Sequence, residues 1–204
     1  MIKKKFKIAV TGGIGSGKSE FCKFMKEKGY PVLYADAIAK DLITNNDEVI
    51  LKIKEAFGER SYSNSKPDVK YLAETVFANP ENVKIINSII HPFVIKTQNL
   101  EMEKLLGEYD FVFVEAALIY EAEVEDEFDY VVLITSENEN KIKRIQNQRG
   151  FSKTEIIKRM NNQIPDEVKK EWADFVFENN GSLAELKIKA EWFLTLLKSL
   201  RGTN

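Results

Sequence analysis

Five short runs along the chain are almost unbroken in apolar residues: KIAVT (7–11), PVLYAD (31–36), FVFVEA (111–116), YVVLIT (130–135) and FVFEN (175–179). A strand with one solvated face alternates apolar and polar positions, so unbroken runs predict strands covered on both faces, as in a parallel sheet. Between the runs, apolar positions recur at helical spacing. The first helical stretch, 18–28, is closed by Gly29, with Pro31 opening the next strand. The last stretch places Leu183, Leu186, Ala190, Phe193, Leu197 and Leu200 alternately three and four apart. That is the single apolar stripe of a helix lying over the sheet, and it is too short for a coiled coil. Strand and helix alternate, which predicts an α/β fold.

Two segments interrupt the alternation. From about Ala37 to Gly107 only helix-like spacing is present, with turn signals at SYSNSKPD and ANPE. The run KIKRIQNQRGFSKTEIIKRMNNQIP (141–165) reads as a basic helical hairpin broken at Gly150. Both are expected as insertions at the sheet's edge. The core is accordingly assigned to 1–36, 108–141 and 165–204, with insertions at 37–107 and 142–164.

Composition narrows the function classes. With 204 residues, 44% hydrophobic and 30% charged, the chain suits one globular unit with a real core. A net charge of −2 argues against a surface that neutralises many backbone phosphates, so no nucleic-acid partner is expected. A small anion in a local basic pocket stays open. The opening MIKKKFKIAV imitates a secretion signal, but its apolar part breaks at Gly12 and Gly13. No later stretch is apolar enough for a membrane span, so a cytosolic protein without a membrane partner is expected. Cys22 is the sole cysteine, which rules out an internal disulfide and a cysteine-cluster zinc site; inert packing is its expected role.

The stretch AVTGGIGSGKSE (9–20) adds chemistry to this outline. Gly12, Gly17, Lys18 and Ser19 fit G-x-x-x-x-G-K-[ST], the phosphate-binding loop, with the required strand before it and helix after it. The glycines let successive N–H groups along Gly12, Gly13, Ile14, Gly15, Ser16 and Gly17 turn inward around a phosphate, and the helix points its positive end at it. Lys18 reaches the β- and γ-phosphates and the Ser19 hydroxyl can ligate a magnesium ion. The expected cofactors are ATP and Mg²⁺.

Such a loop serves switches and transferases alike. A guanine-specific switch would carry D-x-x-G and N-K-x-D; the first is absent, and NKIK (140–143) lacks the aspartate of the second. A kinase needs an acceptor pocket, a base beside the acceptor hydroxyl, and cations over the transferring group. Asp36 ends the second strand, at the sheet edge where strand carboxyl ends line a ligand crevice; a helix N-cap is the alternative for it. Arg144, Arg149 and Arg159 lie on the basic hairpin, as on a phosphate-covering lid. Arg144 and Arg149, five apart, point about 140° apart on an ideal helix, so both can serve only if the helix ends near Gly150 and Arg149 leaves the helical path. A kinase of a small hydroxylated acceptor, such as a nucleoside or sugar acid, is therefore expected, with a nucleotide-dependent switch as the alternative class.

TGGIGSGKS, ADAIAK, FANPE, IIHP, ALIYE, the two arginines of 144–149, KRMNNQ and ADFVFENNGS resemble, in order and spacing, the dephospho-coenzyme A kinase family from Ile8 to about Ser182. The resemblance implies a P-loop kinase core with a five-stranded parallel sheet flanked by helices, a helical CoA-binding insertion (37–107) and a lid (142–164). It implies transfer of the ATP γ-phosphoryl to the ribose 3′-hydroxyl of dephospho-CoA; a monomer is expected, though no sequence feature fixes the oligomeric state. In it Asp36 matches the catalytic aspartate at the acceptor hydroxyl, Arg149 the lid arginine, and Arg144 is a second cation. The adenine pocket falls at Asn179, Asn180 and Gly181, for which a plain turn is the alternative. Glu115 is either the strand-end acid that holds Mg²⁺ through water or an exposed glutamate. His91 falls in a region lining the acceptor site, or is the N-cap of a helix begun by Pro92. Glu121 is the one position of an acidic loop expected near substrate. The chain departs from the family pattern at Tyr34, where an aspartate is common, at Ala117-Leu118-Ile119, where P-L-L is common, and at Glu20, where threonine is usual.

Overall fold

The structure, a computed structural model, describes residues 4–202, with Gln148 and Arg149 described by their backbone alone. In chain order the elements are β1 (Phe6–Thr11), α1 (Lys18–Glu27), β2 (Val32–Tyr34), α2 (Ala35–Asn45), α3 (Asp47–Phe57), β3 (Tyr62–Ser63), β4 (Lys66–Pro67), α4 (Val69–Phe77) and α5 (Pro80–Leu106). They continue with β5 (Phe111–Glu115), β6 (Tyr130–Thr135), α6 (Asn138–Arg149), α7 (Lys153–Met160), α8 (Asp166–Trp172), β7 (Phe175–Glu178) and α9 (Leu183–Gly202). They form two compact units, Met1–Leu33 with Met102–Asn204, and Tyr34–Glu101.

The first unit is built on a five-stranded sheet in the order β2-β5-β1-β6-β7. The pairs β1–β5, β1–β6 and β6–β7 run parallel, and β2 joins beside β5 where the Phe113 amide donates to the Pro31 carbonyl at 3.0 Å. On the three central strands Ile8, Ala9, Val10, Phe111 to Val114 and Val132 to Ile134 are buried, as unbroken apolar runs require, but the edge strands depart from that expectation: β2 is only half-buried and Val176 of β7 is exposed, since an edge strand is covered less completely. On one face, Phe21 of α1, Phe177 of β7 and Phe193 of α9 form an aromatic cluster with ring centroids 5.6–6.1 Å apart. Fully burying each such ring contributes about 1.5–3 kcal/mol. On α9, Leu186, Ala190, Phe193 and Leu197 are buried as the stripe requires, Leu183 is exposed and Leu200 half-buried. Register places Val10 opposite Glu115 and Thr135 opposite Glu178, so the carboxyl ends of β1, β5, β6 and β7 share one edge of the sheet. Ligand crevices of open α/β sheets form along that edge.

The second unit packs α2, α3, α4 and part of α5 around Leu42, Val49, Ile53, Phe57, Leu72 and Ile90. Asn46 caps α3 through the Val49 amide (3.0 Å) and Asp68 caps α4 through the Tyr71 amide (3.0 Å). Two features depart from the sequence reading. The turn signal SYSNSKPD is a small antiparallel hairpin, β3–β4, whose turn residues Asn64 (φ 48) and Ser65 (φ 61) are both left-handed, as a tight two-residue hairpin demands. And Pro92 does not begin a helix: it lies inside the 27-residue α5, so His91 is not an N-cap. An interior proline loses one helical hydrogen bond at a cost of about 3 kcal/mol. Ile86, Ile89, Ile90, Phe93 and Val94 on both sides of it pack into the unit's core, and that burial holds the helix through.

Candidate active site

Local sequence dictates the loop between β1 and α1. Gly12 has φ 143, and a Cβ there would overlap the Ile134 carbonyl oxygen; Gly17 has φ 105, and a Cβ there would overlap the Asn179 side-chain amide. Only glycine fits either place. Gly17 is also the N-cap of α1 and has no side chain to cap it, so the helix start keeps its positive end for an anion. Among the described residues the N–H groups of Gly15 and Gly17 make no hydrogen bond, and the Ser16 hydroxyl is buried without a partner. This is a cradle of donors awaiting acceptors.

Lys18, 8% exposed, arches back so that its ammonium donates to the Gly13 carbonyl at 3.2 Å, across the mouth of the loop. One residue on, the Ser19 hydroxyl donates to Glu115 Oε1 at 3.2 Å. Beneath them Cys22 is fully buried, and burial chiefly, with the Glu115 carboxylate adding and Lys18 opposing, pushes its thiol well above the ordinary range. It stays a protonated packing residue, as expected.

The loop's outer side is held by side chains from α6 and the segment after β7. Arg144 donates to the Gly15 carbonyl (3.3 Å), the Ser136 hydroxyl (3.2 Å) and the Asn179 carbonyl (2.7 Å). Burial lowers its pKa from the usual arginine value. Asn179 donates to the Ser16 carbonyl at 2.8 Å, while Asn180 Oδ1 accepts from the Glu137 amide (2.8 Å) and the Ser136 hydroxyl (3.0 Å). Asn179 and Asn180 thus do more than turn the chain. A cleft of about 650 Å³ opens here, bounded by Gly13, Glu137, Lys141, Gln163, Asp166 and Asn180 among others.

The structure therefore brings Gly12 to Ser19, Glu115, Arg144 and Asn180 together. Arg149 closes α6, followed by Gly150 in the left-handed C-cap, so its backbone stays helical; its side chain lies outside the described residues. Glu121 is engaged internally: Oε1 accepts from the Ile164 amide (2.9 Å) and pairs with Lys169 (2.8 Å), and Oε2 is buried without a partner. Asp36 and His91 belong to the second unit. Asp36 does not end the second strand, which stops at Tyr34; it is exposed in the first turn of α2, whose N-cap is Tyr34, so the capping role is not the one it plays either. Its charge suits the helix's positive end.

His91 is half-buried, and burial lowers its imidazole pKa from 6.5. A base weakened on folding takes up its proton more readily in the unfolded chain, so its contribution to stability is complete above pH 6.5 and declines as pH falls below that value. As the chain has a single histidine, one imidazole resonance followed by proton NMR should titrate with a midpoint below 6.5. A midpoint at or above it would mean that a polar neighbour outweighs burial.

Sequence reading missed four residues at this edge: Thr135, Lys141, Gln163 and Asp166. Asp166 Oδ2 accepts from the Thr135 hydroxyl at 2.5 Å and pairs with Lys141, whose side chain is 5% exposed. Lys141 lay in the basic hairpin, where nothing separates a buried lysine from its solvated neighbours.

The family model for dephospho-CoA kinase matches residues 6–185. A dephospho-CoA kinase of Salinibacter ruber is 36% identical over 185 residues, covering 90% of this chain and 93% of that protein. Among solved structures, a protein of Thermus thermophilus superposes with a TM-score of 0.82 at 33% identity, covering 96% of this chain and 99% of that one. A dephospho-CoA kinase from Campylobacter jejuni gives 0.71 at 29%, covering 93% and 95%. The agreement spans the phosphate loop, the sheet that carries it and the basic hairpin beside it, and the chain belongs to the dephospho-CoA kinase family.

Proposed function

We propose that this chain transfers the γ-phosphoryl group of ATP to the ribose 3′-hydroxyl of dephospho-CoA, giving coenzyme A and ADP. The observation that carries the reading is the donor cradle at Gly15 and Gly17 with Lys18 across its mouth, in a chain of this family. In this assignment 1–36, 108–141 and 165–204 hold the nucleotide, 37–107 binds the CoA portion and 142–164 is the lid.

Loop N–H groups and the α1 terminus hold the phosphates, while Asn180 and its neighbours face the adenine side. Lys18 and Arg149, with Arg144 behind the loop, offset the charge spread over the transferring group. Ser19 and Glu115 present two hard oxygen ligands 3.2 Å apart, a donor set that suits magnesium completed by phosphate oxygens and water. When bound, Mg²⁺ supplies positive charge at the β- and γ-phosphate oxygens. Asp36 orients the acceptor hydroxyl and takes its proton as the new P–O bond forms and the bond to the ADP oxygen breaks. His91 and Glu121 are assigned to the acceptor side. The reaction is placed in the cytoplasm, in a monomer; among the described residues no helix is long and apolar enough to cross a membrane.

The test is ADP release from Mg-ATP with and without dephospho-CoA, with the product identified by mass and by phosphorus NMR. Dephospho-CoA-dependent turnover giving a 3′-phosphomonoester is expected. Hydrolysis indifferent to that acceptor would overturn the reading.

A further inference from the structure

The phosphate loop is flanked from outside along Gly13 to Gly17. A Cβ on Gly13 would sit 3.3 Å from both Lys141 Nζ and Asp166 Oδ1, and one on Gly17 would overlap the Asn179 amide; the Gly15 carbonyl is held by Arg144 and the Ser16 carbonyl by Asn179. At Ile14 the grip is of another kind. Its amide donates to Gln163 Oε1 at 3.1 Å, so here a side chain holds a loop N–H rather than a loop carbonyl. With that amide bound by Gln163, which lines the same cleft as Gly13, the Ile14 N–H is not free for phosphate as the sequence pattern predicted, and the peptides that follow it are anchored at one end.

Gln163 is itself firmly placed. It stands in the turn between α7 and α8, where its own amide donates to the Met160 carbonyl at 3.1 Å. The next residue, Ile164, donates to Glu121 (2.9 Å). Three residues on, Asp166 is fixed by Thr135 and by the ion pair with Lys141, side chains 10% and 5% exposed. A half-buried side chain on so anchored a turn has lost little further freedom in making its bond, so the bond contributes most of its strength to the loop.

We propose that Gln163 is a positioning residue for the nucleotide: by holding the Ile14 amide it fixes the stretch of loop from which the Gly15 and Gly17 N–H groups reach the phosphates. Because it stands at the end of α7, it also ties the loop's shape to the basic hairpin. This rests on the reading that the loop binds Mg-ATP, and it gives Gln163 a part through the Ile14 amide.

Gln163→Leu keeps the volume and removes the acceptor. Amide hydrogen exchange at Ile14 should accelerate about tenfold, and the Kd and KM for Mg-ATP should rise about five- to tenfold, the effect of one lost hydrogen bond. KM for dephospho-CoA and the unfolding temperature should hold, and a purely structural role would move neither constant of Mg-ATP. Gln163→Glu, which keeps an acceptor oxygen, should keep Ile14 protected. Unchanged Mg-ATP affinity beside a fast-exchanging Ile14 would overturn the proposal. So would tighter binding, which would mean that Gln163 competes with phosphate for that amide. Calorimetric titration with Mg-ATP needs no acceptor: weakened binding in the variant, with no dephospho-CoA turnover in the wild type, would sink the functional reading and leave Gln163 standing.

Discussion

Asp36→Asn is expected to lower kcat about a thousandfold, within the range that positioned acid–base groups contribute. Asparagine has the size of aspartate and can still hydrogen-bond an acceptor hydroxyl, but it cannot take up its proton. Asp36 is exposed in the first turn of α2, so removing its charge costs the fold about 0.3–1 kcal/mol through the helix dipole, too little to explain such a loss by unfolding. Mg-ATP should therefore bind the variant with wild-type affinity by calorimetry while single-turnover transfer to dephospho-CoA all but stops. A kcat within tenfold of wild type would remove Asp36 from the chemistry. Loss of Mg-ATP affinity would give it a structural part instead.

Lys169→Met is expected to be the most destabilising single change among the buried polar residues of the first unit. The Lys169 side chain is fully buried, with its ammonium 2.8 Å from Glu121 Oε1 and 3.3 Å from the Ala117 carbonyl. Methionine fills much the same volume, so packing is preserved. What is left behind is a buried Glu121 carboxylate with one oxygen already lacking a partner. Stranding one member of a buried pair costs about 3–5 kcal/mol. In a chain of this size that lowers the unfolding midpoint by on the order of 10 °C. Removing both charges, in Lys169→Met with Glu121→Leu, should restore more than half of the loss, since an apolar pair of similar volume replaces a buried ion pair at little cost. Calorimetric unfolding of both variants decides it: a double variant no more stable than the single one would show that the carboxylate's bond to the Ile164 amide, rather than its charge, is what matters.

These residues mark what the sequence conveyed and what it did not. Strands covered on both faces and a loop whose glycines are forced by backbone overlap leave residue-type signatures, and both were readable to within a residue or two. Gly12 and Gly17 are conspicuous because nothing larger fits. Lys141, Lys169 and Asp166 are of types that mostly lie in water, and their burial is decided by partners 25 to 48 positions away in sequence. Composition and periodicity are silent about such pairs. The β3–β4 hairpin escaped because each strand has only two residues, too few to alternate. The course of α5 through Pro92 escaped for another reason: the local rule that proline starts or stops helices was outweighed by apolar packing on both sides of it. Arg144, Asn179 and Asn180 were singled out from sequence, and the structure sets Arg144 and Asn179 against the loop and Asn180 against Ser136 and Glu137.

The bond from Asn179 to the Ser16 carbonyl joins positions 163 residues apart. On the ribosome, the residues that would grasp phosphate emerge well before the side chain that steadies the Ser16 carbonyl. At synthesis rates of about 5–20 residues per second, the interval is on the order of ten seconds or more. Throughout it the nascent chain displays the glycine-rich signature without that bond. A product truncated before β7 would carry the motif with Arg144 and Gln163 but lack the clasp on the Ser16 carbonyl.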